Sequence, residues 1–77
     1  MSRHHIERCV RDSLTEYFQD LDGSNPNAIY EMIISCVEKP MLEVVLERAS
    51  GNQSLAAEYL GINRNTLRKK LQQHGLL

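Results

Sequence analysis

The sequence of residues 51–77 is GNQSLAAEYLGINRNTLRKKLQQHGLL, and it predicts two short helices joined by a tight turn. Gly61 suits the left-handed backbone of such a turn, Asn52 and Asn63 are suited to cap the two helices, and Gly75 suits the end of the second. Small and apolar residues recur where a helix-turn-helix buries its inner faces. They are Ala56, Ala57, Leu60, Ile62, Leu67 and Leu71.

The charge distribution indicates a phosphate-binding surface at the C-terminal end. The formal net charge is −1, yet residues 59–77 carry four basic and no acidic residues, whereas residues 1–58 carry ten acidic and five basic ones. The four are Arg64, Arg68, Lys69 and Lys70. Lys69 and Lys70 alone fit a solvated helix end equally well, but Arg64 in the first turn opposes the helix dipole. This acid-free helix therefore favours DNA binding over simple solvation.

Helix geometry divides the polar residues of the last helix between bases and phosphates. At 100° per residue, Leu67 and Leu71 define its inner face, and a recognition helix enters the major groove by its N-terminal end. The residues expected nearest base edges are Asn63, Arg64 and Arg68. Those expected near phosphates are Thr66, Lys69 and Lys70, together with Asn52 and Ser54 at the start of the preceding helix.

Two longer helices are predicted upstream of this unit. Apolar residues at three- and four-residue spacing predict an amphipathic helix over roughly residues 4–20. A cluster of turn residues ends it, and a second helix is expected over about 26–49, with Asn25 as its cap and Pro26 in its first turn. Pro40 interrupts the apolar pattern without ending it, so we expect a kink there rather than two helices.

The second predicted helix is apolar on nearly all its faces and must be buried on nearly all of them. About 20 helical residues span roughly 30 Å, which the rest of so short a chain cannot cover. A second copy of the chain is the expected cover. The sequence thus predicts an all-α fold: a four-helix protomer, an intertwined homodimer core and a C-terminal helix-turn-helix. Residues 1–50 supply dimerisation helices and 51–77 the DNA-binding unit, within one compact domain.

Several other classes of protein lack support. No apolar run is long enough to span a membrane and no signal peptide is evident, so we expect a cytoplasmic protein without a membrane partner. Cys9 and Cys36 lack the spacing of a zinc site and are expected to be small buried hydrophobes. His4 and His5 would point about 100° apart on a helix, which disfavours a metal site. We expect neither catalysis nor a cofactor.

The segment GNQSLAAEYLGINRNTLRKKL resembles the C-terminal helix-turn-helix of the Fis family, the bacterial factor for inversion stimulation. The same module also ends enhancer-binding activators of the nitrogen-regulator type. Upstream, residues 14–23, 29–31 and 38–42 resemble the two dimerisation helices of free-standing Fis, and the resemblance covers about residues 6–77. The starting Met1 and the absence of an ATPase domain favour free-standing Fis over an activator.

The resemblance implies a nucleoid-associated transcriptional regulator, a homodimer that binds and bends double-stranded DNA. It implies two recognition helices closer together than one turn of the duplex, so that the minor groove between them narrows. Contacts near bases are implied for Asn63, Arg64 and Lys69. Contacts near phosphates are implied for Asn52, Ser54, Thr66, Arg68 and Lys70. Helix geometry predicts the reverse for two of these residues, with Arg68 near bases and Lys69 near phosphates. Both assignments stay open.

The chain departs from the family pattern in three places. Only a few residues precede the first helix, so we do not expect the β-hairpin arm that accompanies invertase activation in the family. Gln72 and Gln73 stand where well-known members carry lysines, and Ser50 replaces a common basic residue. These changes predict fewer phosphate contacts and less wrapping of DNA.

Two further hypotheses stay open. In one, the chain is a protein-interaction adaptor whose apolar second helix docks on a different partner. In the other, it is the DNA-binding domain of a nitrogen-regulator-type activator. A stable monomer in sedimentation would favour the adaptor, whereas a tight dimer that shifts duplex DNA would exclude it. The complete genomic reading frame would show whether the chain is a domain of an activator or a free-standing Fis protein.

Overall fold

The protein folds into four α-helices in a computed structural model that describes residues 2–77. The helices are α1 (Arg3–Leu21), α2 (Ile29–Arg48), α3 (Gln53–Leu60) and α4 (Arg64–Gln73). Strands are absent from this described part of the chain, which confirms the all-α prediction. Within the same residues, no helix is both long and apolar enough to cross a membrane.

The start of α2 differs from the prediction. The helix begins at Ile29 with Ala28 as its N-cap, so Asn25 is not the cap and Pro26 lies outside the helix. Ile29 is half-buried, so the helix starts where its apolar packing starts rather than where the turn residues would permit. The helix then continues through Pro40 to Arg48 as one element, which agrees with the expectation that Pro40 does not end it.

The pairing of α1 with α2 leaves an open apolar groove. α1 has no fully buried residue, although Val10 and Tyr17 are half-buried beside the groove and Met32 lines it from α2. Cys9 and Cys36 line the same groove, and both are exposed. The prediction that these cysteines are buried is therefore wrong for the single chain, because α1 and α2 do not close over them.

The buried core lies in the C-terminal half of the chain. Its six members are Leu42, Ala49, Ala56, Ala57, Leu67 and Leu71. The partly buried residues packed around them are Val45, Leu46, Leu55, Leu60, Ile62 and Leu76. The last two turns of α2 thus form one packed unit with α3 and α4, as the inner-face prediction required of the helix-turn-helix. The core contains residues from both sides of residue 50, the predicted boundary between the dimerisation helices and the DNA-binding unit.

An apolar stripe on α2 is exposed along most of the helix. It consists of Tyr30, Ile34, Val37, Met41 and Val44, and we call it the exposed stripe. Its members follow one another at intervals of four, three, four and three residues, which places them on one face, and they are 40–78 % exposed. This is the spacing of a helix that packs along another helix through a heptad seam.

The protomer is elongated for its size. It measures 45 × 26 × 16 Å with a radius of gyration of 15.0 Å, against about 11.5 Å for a compact chain of this length. Its accessible surface is 6253 Å², about 1,500 Å² more than the roughly 4,800 Å² expected for a compact monomer of its mass. The protomer thus exposes more surface than a compact chain of its mass, and the exposed stripe is part of that surface.

Leu71→Ala is expected to lower the free energy of unfolding by about 2–5 kcal/mol, because Leu71 is fully buried and its truncation leaves a cavity. The measurement is urea unfolding followed by circular dichroism at one fixed protein concentration, since self-association would shift the midpoint. Leu77→Ala is the matched control, because Leu77 is 53 % exposed and its loss is expected to change stability by less than about 0.5 kcal/mol. Equal effects of the two substitutions would contradict the assignment of the core.

Candidate nucleic-acid interface

The turn between α3 and α4 is closed by a glycine in the left-handed conformation. Gly61 has a φ of 72°, and its amide donates to the carbonyl oxygen of Glu58 at 3.1 Å. The amide of Ile62 donates to the carbonyl of Ala57 at 3.1 Å, which completes a Schellman motif at the end of α3. Two helix carbonyls are thereby satisfied, and the chain reverses within two residues to start α4.

Both predicted capping asparagines bond the helices that they begin. The side-chain oxygen of Asn52 accepts a hydrogen bond from the Leu55 amide at 3.1 Å, and that of Asn63 accepts one from the Asn65 amide at 2.7 Å. Each side chain retains its amide NH₂ group as a donor. Pairing of Asn63 with adenine through two bonds would require the same oxygen to accept a second hydrogen bond, so a base contact by Asn63 stays a prediction.

The starts of α3 and α4 face one open cleft. Arg64 Nη1 lies 3.5 Å from the hydroxyl oxygen of Ser54, which joins the two helices across the cleft. The amides of Gln53 and Ser54 make no hydrogen bond to any other group in residues 2–77 and remain as donors at a positive helix end. The residues that line the cleft are Gly51, Asn52, Gln53, Ser54, Arg64, Asn65 and Arg68. Four predicted site residues are thus brought together.

The outer face of α4 carries the remaining predicted contacts. Thr66 and Lys69 are exposed, while Leu67 and Leu71 are buried on the opposite side. By helix geometry Lys69 points directly away from the core, whereas Arg68 lies on the flank that lines the cleft with Ser54. The geometry therefore places Arg68 at the cleft and Lys69 on the outward face of α4.

Lys70 differs from the other predicted site residues. Seven of the eight are exposed, but Lys70 is only partly exposed because its Nζ lies 2.8 Å from Glu38 Oε2 on α2. The second carboxylate oxygen of Glu38 lies 2.9 Å from Nε2 of His74, at the end of α4. In the free protein one carboxylate oxygen is thus paired with the ammonium group of Lys70, and its expected contact with a phosphate stays a prediction.

Glu38 is charged over a wider pH range than an ordinary glutamate. Its pKa is lowered from the usual 4.5, first by the hydrogen bond from Lys70 and then by that from His74. An ionised carboxylate only accepts hydrogen bonds, so Nε2 of His74 carries the proton in this contact. Sequence reasoning missed both Glu38 and His74, because they lie 36 residues apart in the chain and share no local pattern.

The match to a known family covers this packed unit. The family model described as "Bacterial regulatory protein, Fis family" matches residues 34–74. That range contains all six buried residues, the cleft and the contacts of Glu38 with α4.

Similar proteins match the chain over most of its length. It is 69% identical to a "Putative Fis-like DNA-binding protein" of Ralstonia nicotianae over 77 residues, which cover both chains completely. A protein of the same description from Neisseria meningitidis is 56% identical over 72 residues, or 94% of this chain and 91% of that one. The "DNA-binding protein Fis" of Glaesserella parasuis is 46% identical over 67 residues, or 87% of this chain and 68% of that one.

Glu38→Gln is expected to lower the free energy of unfolding by about 1 kcal/mol at pH 7, because it removes the charged acceptor of two hydrogen bonds. The pKa of Glu38 is lower in the folded protein, so this stabilisation is complete above pH 4.5 and is lost as the pH falls through the folded pKa. The measurement is unfolding in urea between pH 7 and pH 3. The free energies of unfolding of wild type and of Glu38→Gln are expected to converge as the pH falls.

The control is Glu43→Gln, which makes the same charge change at an exposed position on the same helix. It is expected to leave the pH profile of the wild type unchanged. A constant difference between wild type and Glu38→Gln across the whole pH range would contradict the role of the ionised carboxylate.

Proposed function

Because this chain belongs to the Fis family of bacterial regulatory proteins, we propose that it binds double-stranded DNA as a homodimer and bends the duplex. In this proposal it is a transcriptional regulator associated with the nucleoid, in the cytoplasm. The observation that carries the proposal is the combination of an exposed helix-turn-helix with an exposed stripe on α2. The first supplies the DNA-reading surface, and the second supplies the surface on which a second copy docks.

Self-association is supported by the length and regularity of the exposed stripe. From Tyr30 to Val44 it runs about 21 Å along α2, at 1.5 Å per residue. The protomer's excess surface of about 1,500 Å² lies within the roughly 1,000–2,500 Å² that each partner buries in an obligate homodimer. A second copy offers the same apolar heptad spacing, so the two stripes match each other without a further partner.

Bending follows from the short path between the two recognition helices. In the proposed dimer, α4 packs on α2, α2 packs on its copy, and that copy packs on the second α4. With the three contacts taken to lie in one line, packings of roughly 8–10 Å each separate the two α4 axes by about 24–30 Å. Successive major grooves on one side of straight B-DNA are about 34 Å apart. The duplex must therefore curve toward the protein to offer both grooves, and its deformability contributes to sequence preference.

The cleft and the outer face of α4 together carry the proposed DNA contacts. We assign Arg64, Asn63 and Lys69 to the floor of the major groove, where Arg64 is suited to guanine. The residues assigned to phosphates are Asn52, Ser54, Thr66 and Arg68, which includes the cleft with its two donor amides. Lys70 differs, because Glu38 holds its ammonium group.

Gel-shift titration of circularly permuted AT-rich duplexes at two salt concentrations tests the proposed function. A bent complex migrates differently according to the position of the bound site, and binding through phosphates weakens steeply as salt rises. Sedimentation of the same protein reports its association state. A stable monomer that shifts no duplex would overturn the proposal and favour the adaptor hypothesis.

Val37→Glu is expected to weaken the dimer by about 3 kcal/mol or more, roughly 100-fold in the dissociation constant, because it places a charge in an apolar seam. Sedimentation equilibrium measures the change. Lys39→Glu is the control, since Lys39 is exposed on the opposite side of α2 and makes a larger change in charge. A dimer that tolerates Val37→Glu as well as Lys39→Glu would remove the exposed stripe from the interface.

Arg64→Ala is expected to cost about 1–3 kcal/mol in binding to a preferred site and to relax selectivity at one base pair, if Arg64 contacts a guanine. Competition gel shifts against point-substituted duplexes measure both effects. Arg11→Ala, an exposed charge on α1, controls for the general loss of one positive charge. A uniform loss of affinity across all duplexes would assign Arg64 to a phosphate instead.

A further inference from the structure

One carboxylate joins the middle of α2 to the last turn of α4. Glu38 contacts Lys70 through one oxygen at 2.8 Å and His74 through the other at 2.9 Å. Lys70 and His74 are one turn apart on α4, so the carboxylate holds that helix at two points along its axis. The side chains of Glu38 and His74 are 13 % and 9 % exposed, which makes this contact drier than an ordinary surface ion pair.

The position of Glu38 on α2 gives the contact a second significance. Glu38 directly follows Val37, a central member of the exposed stripe, so one turn of α2 faces both the proposed partner and the recognition helix. The buried leucines on α4, Leu67 and Leu71, fix how closely that helix packs on the core. Apolar packing is not directional, whereas a carboxylate bonded at two points restricts rotation and sliding of α4 along α2.

We propose that Glu38 is a positioning residue for DNA recognition, which fixes the orientation of α4 relative to the exposed stripe and keeps Lys70 away from phosphates. The inference rests on the proposed function. Because Lys70 is held by Glu38, it adds no attraction to DNA of arbitrary sequence. A duplex that fits only after α4 rotates must break the contact and meet a free carboxylate, which repels phosphates. Glu38 thus raises the ratio of specific to non-specific affinity.

The test measures the dissociation constants for two duplexes of equal length: the tightest binder selected from a random pool, and a scrambled sequence. Both are titrated at several salt concentrations with wild type, Glu38→Gln, Lys70→Met and the double variant. Glu43→Gln is the matched control for the change in charge at Glu38, and Arg68→Met, at a residue assigned to a phosphate, is the comparison for the loss of one phosphate contact. Circular dichroism and sedimentation first establish that each protein is folded and has the association state of the wild type.

The specificity ratio is the dissociation constant for the scrambled duplex divided by that for the selected one. For Glu38→Gln we expect this ratio to fall about three- to tenfold, which is in the lower part of the range of interaction energies between residues in direct contact. The scrambled duplex should bind more tightly, and the slope of log affinity against log salt should steepen by about one for each released Lys70. Lys70→Met should lower the ratio without flattening the slope, whereas Arg68→Met should flatten it by about one per residue. The double variant should lose no more specificity than either single variant, because both remove the same contact.

Three results would overturn the inference. The first is a specificity ratio for Glu38→Gln equal to that for Glu43→Gln. The second is a salt slope that Lys70→Met flattens as much as Arg68→Met, because Lys70 would then bind a phosphate in the complex. The third is additive losses in the double variant. If Glu38→Gln does not fold, Lys70→Met still decides the question through the salt slope. Wild-type protein that binds no duplex would instead overturn the proposed function.

Discussion

The rest of the structure depends on α2 having to pack on three different sides at once. One face carries Leu42 and Ala49 into the core with α3 and α4. A second faces α1 across the apolar groove, through residues such as Met32 and Ile33. The third is the exposed stripe, whose members remain 40–78 % exposed, although Val37 also borders the groove with α1. A helix that is apolar all round gains stability only when each face is buried, and within the described residues the single chain buries only the face that packs with α3 and α4.

The helix-turn-helix was predictable in detail because its determinants are local. Gly61 adopts the left-handed conformation, Asn52 and Asn63 cap their helices, and Leu67 and Leu71 are buried, each as the sequence indicated. The start of α2 was predicted three residues too early, because the turn residues around Pro26 permit a helix that tertiary packing does not extend. Local propensity is a weak guide wherever packing decides the boundary.

The parts that could not be predicted involve residues far apart in the chain. The contact between Glu38 and Lys70 joins positions 32 residues apart, and no periodicity within either helix reveals it. Sequence alone therefore treated Lys70 as one more cation in a basic helix. The exposure of Cys9 was missed for a related reason: an apolar position on a helix predicts burial, but not whether the chain itself or a second copy provides the cover.

Electrostatics and packing act together on the recognition helix. Four cations on α4 would attract any stretch of phosphates, and attraction of this kind carries no information about sequence. Holding one of them against Glu38 reduces that attraction while adding a directional restraint to the apolar contacts of Leu67 and Leu71. In the role proposed for Glu38, an acidic residue limits non-specific binding at the same place where α2 meets α4. A regulator that bends DNA gains from this arrangement, because the energy of bending is recovered only if both recognition helices keep a fixed orientation relative to their dimer core.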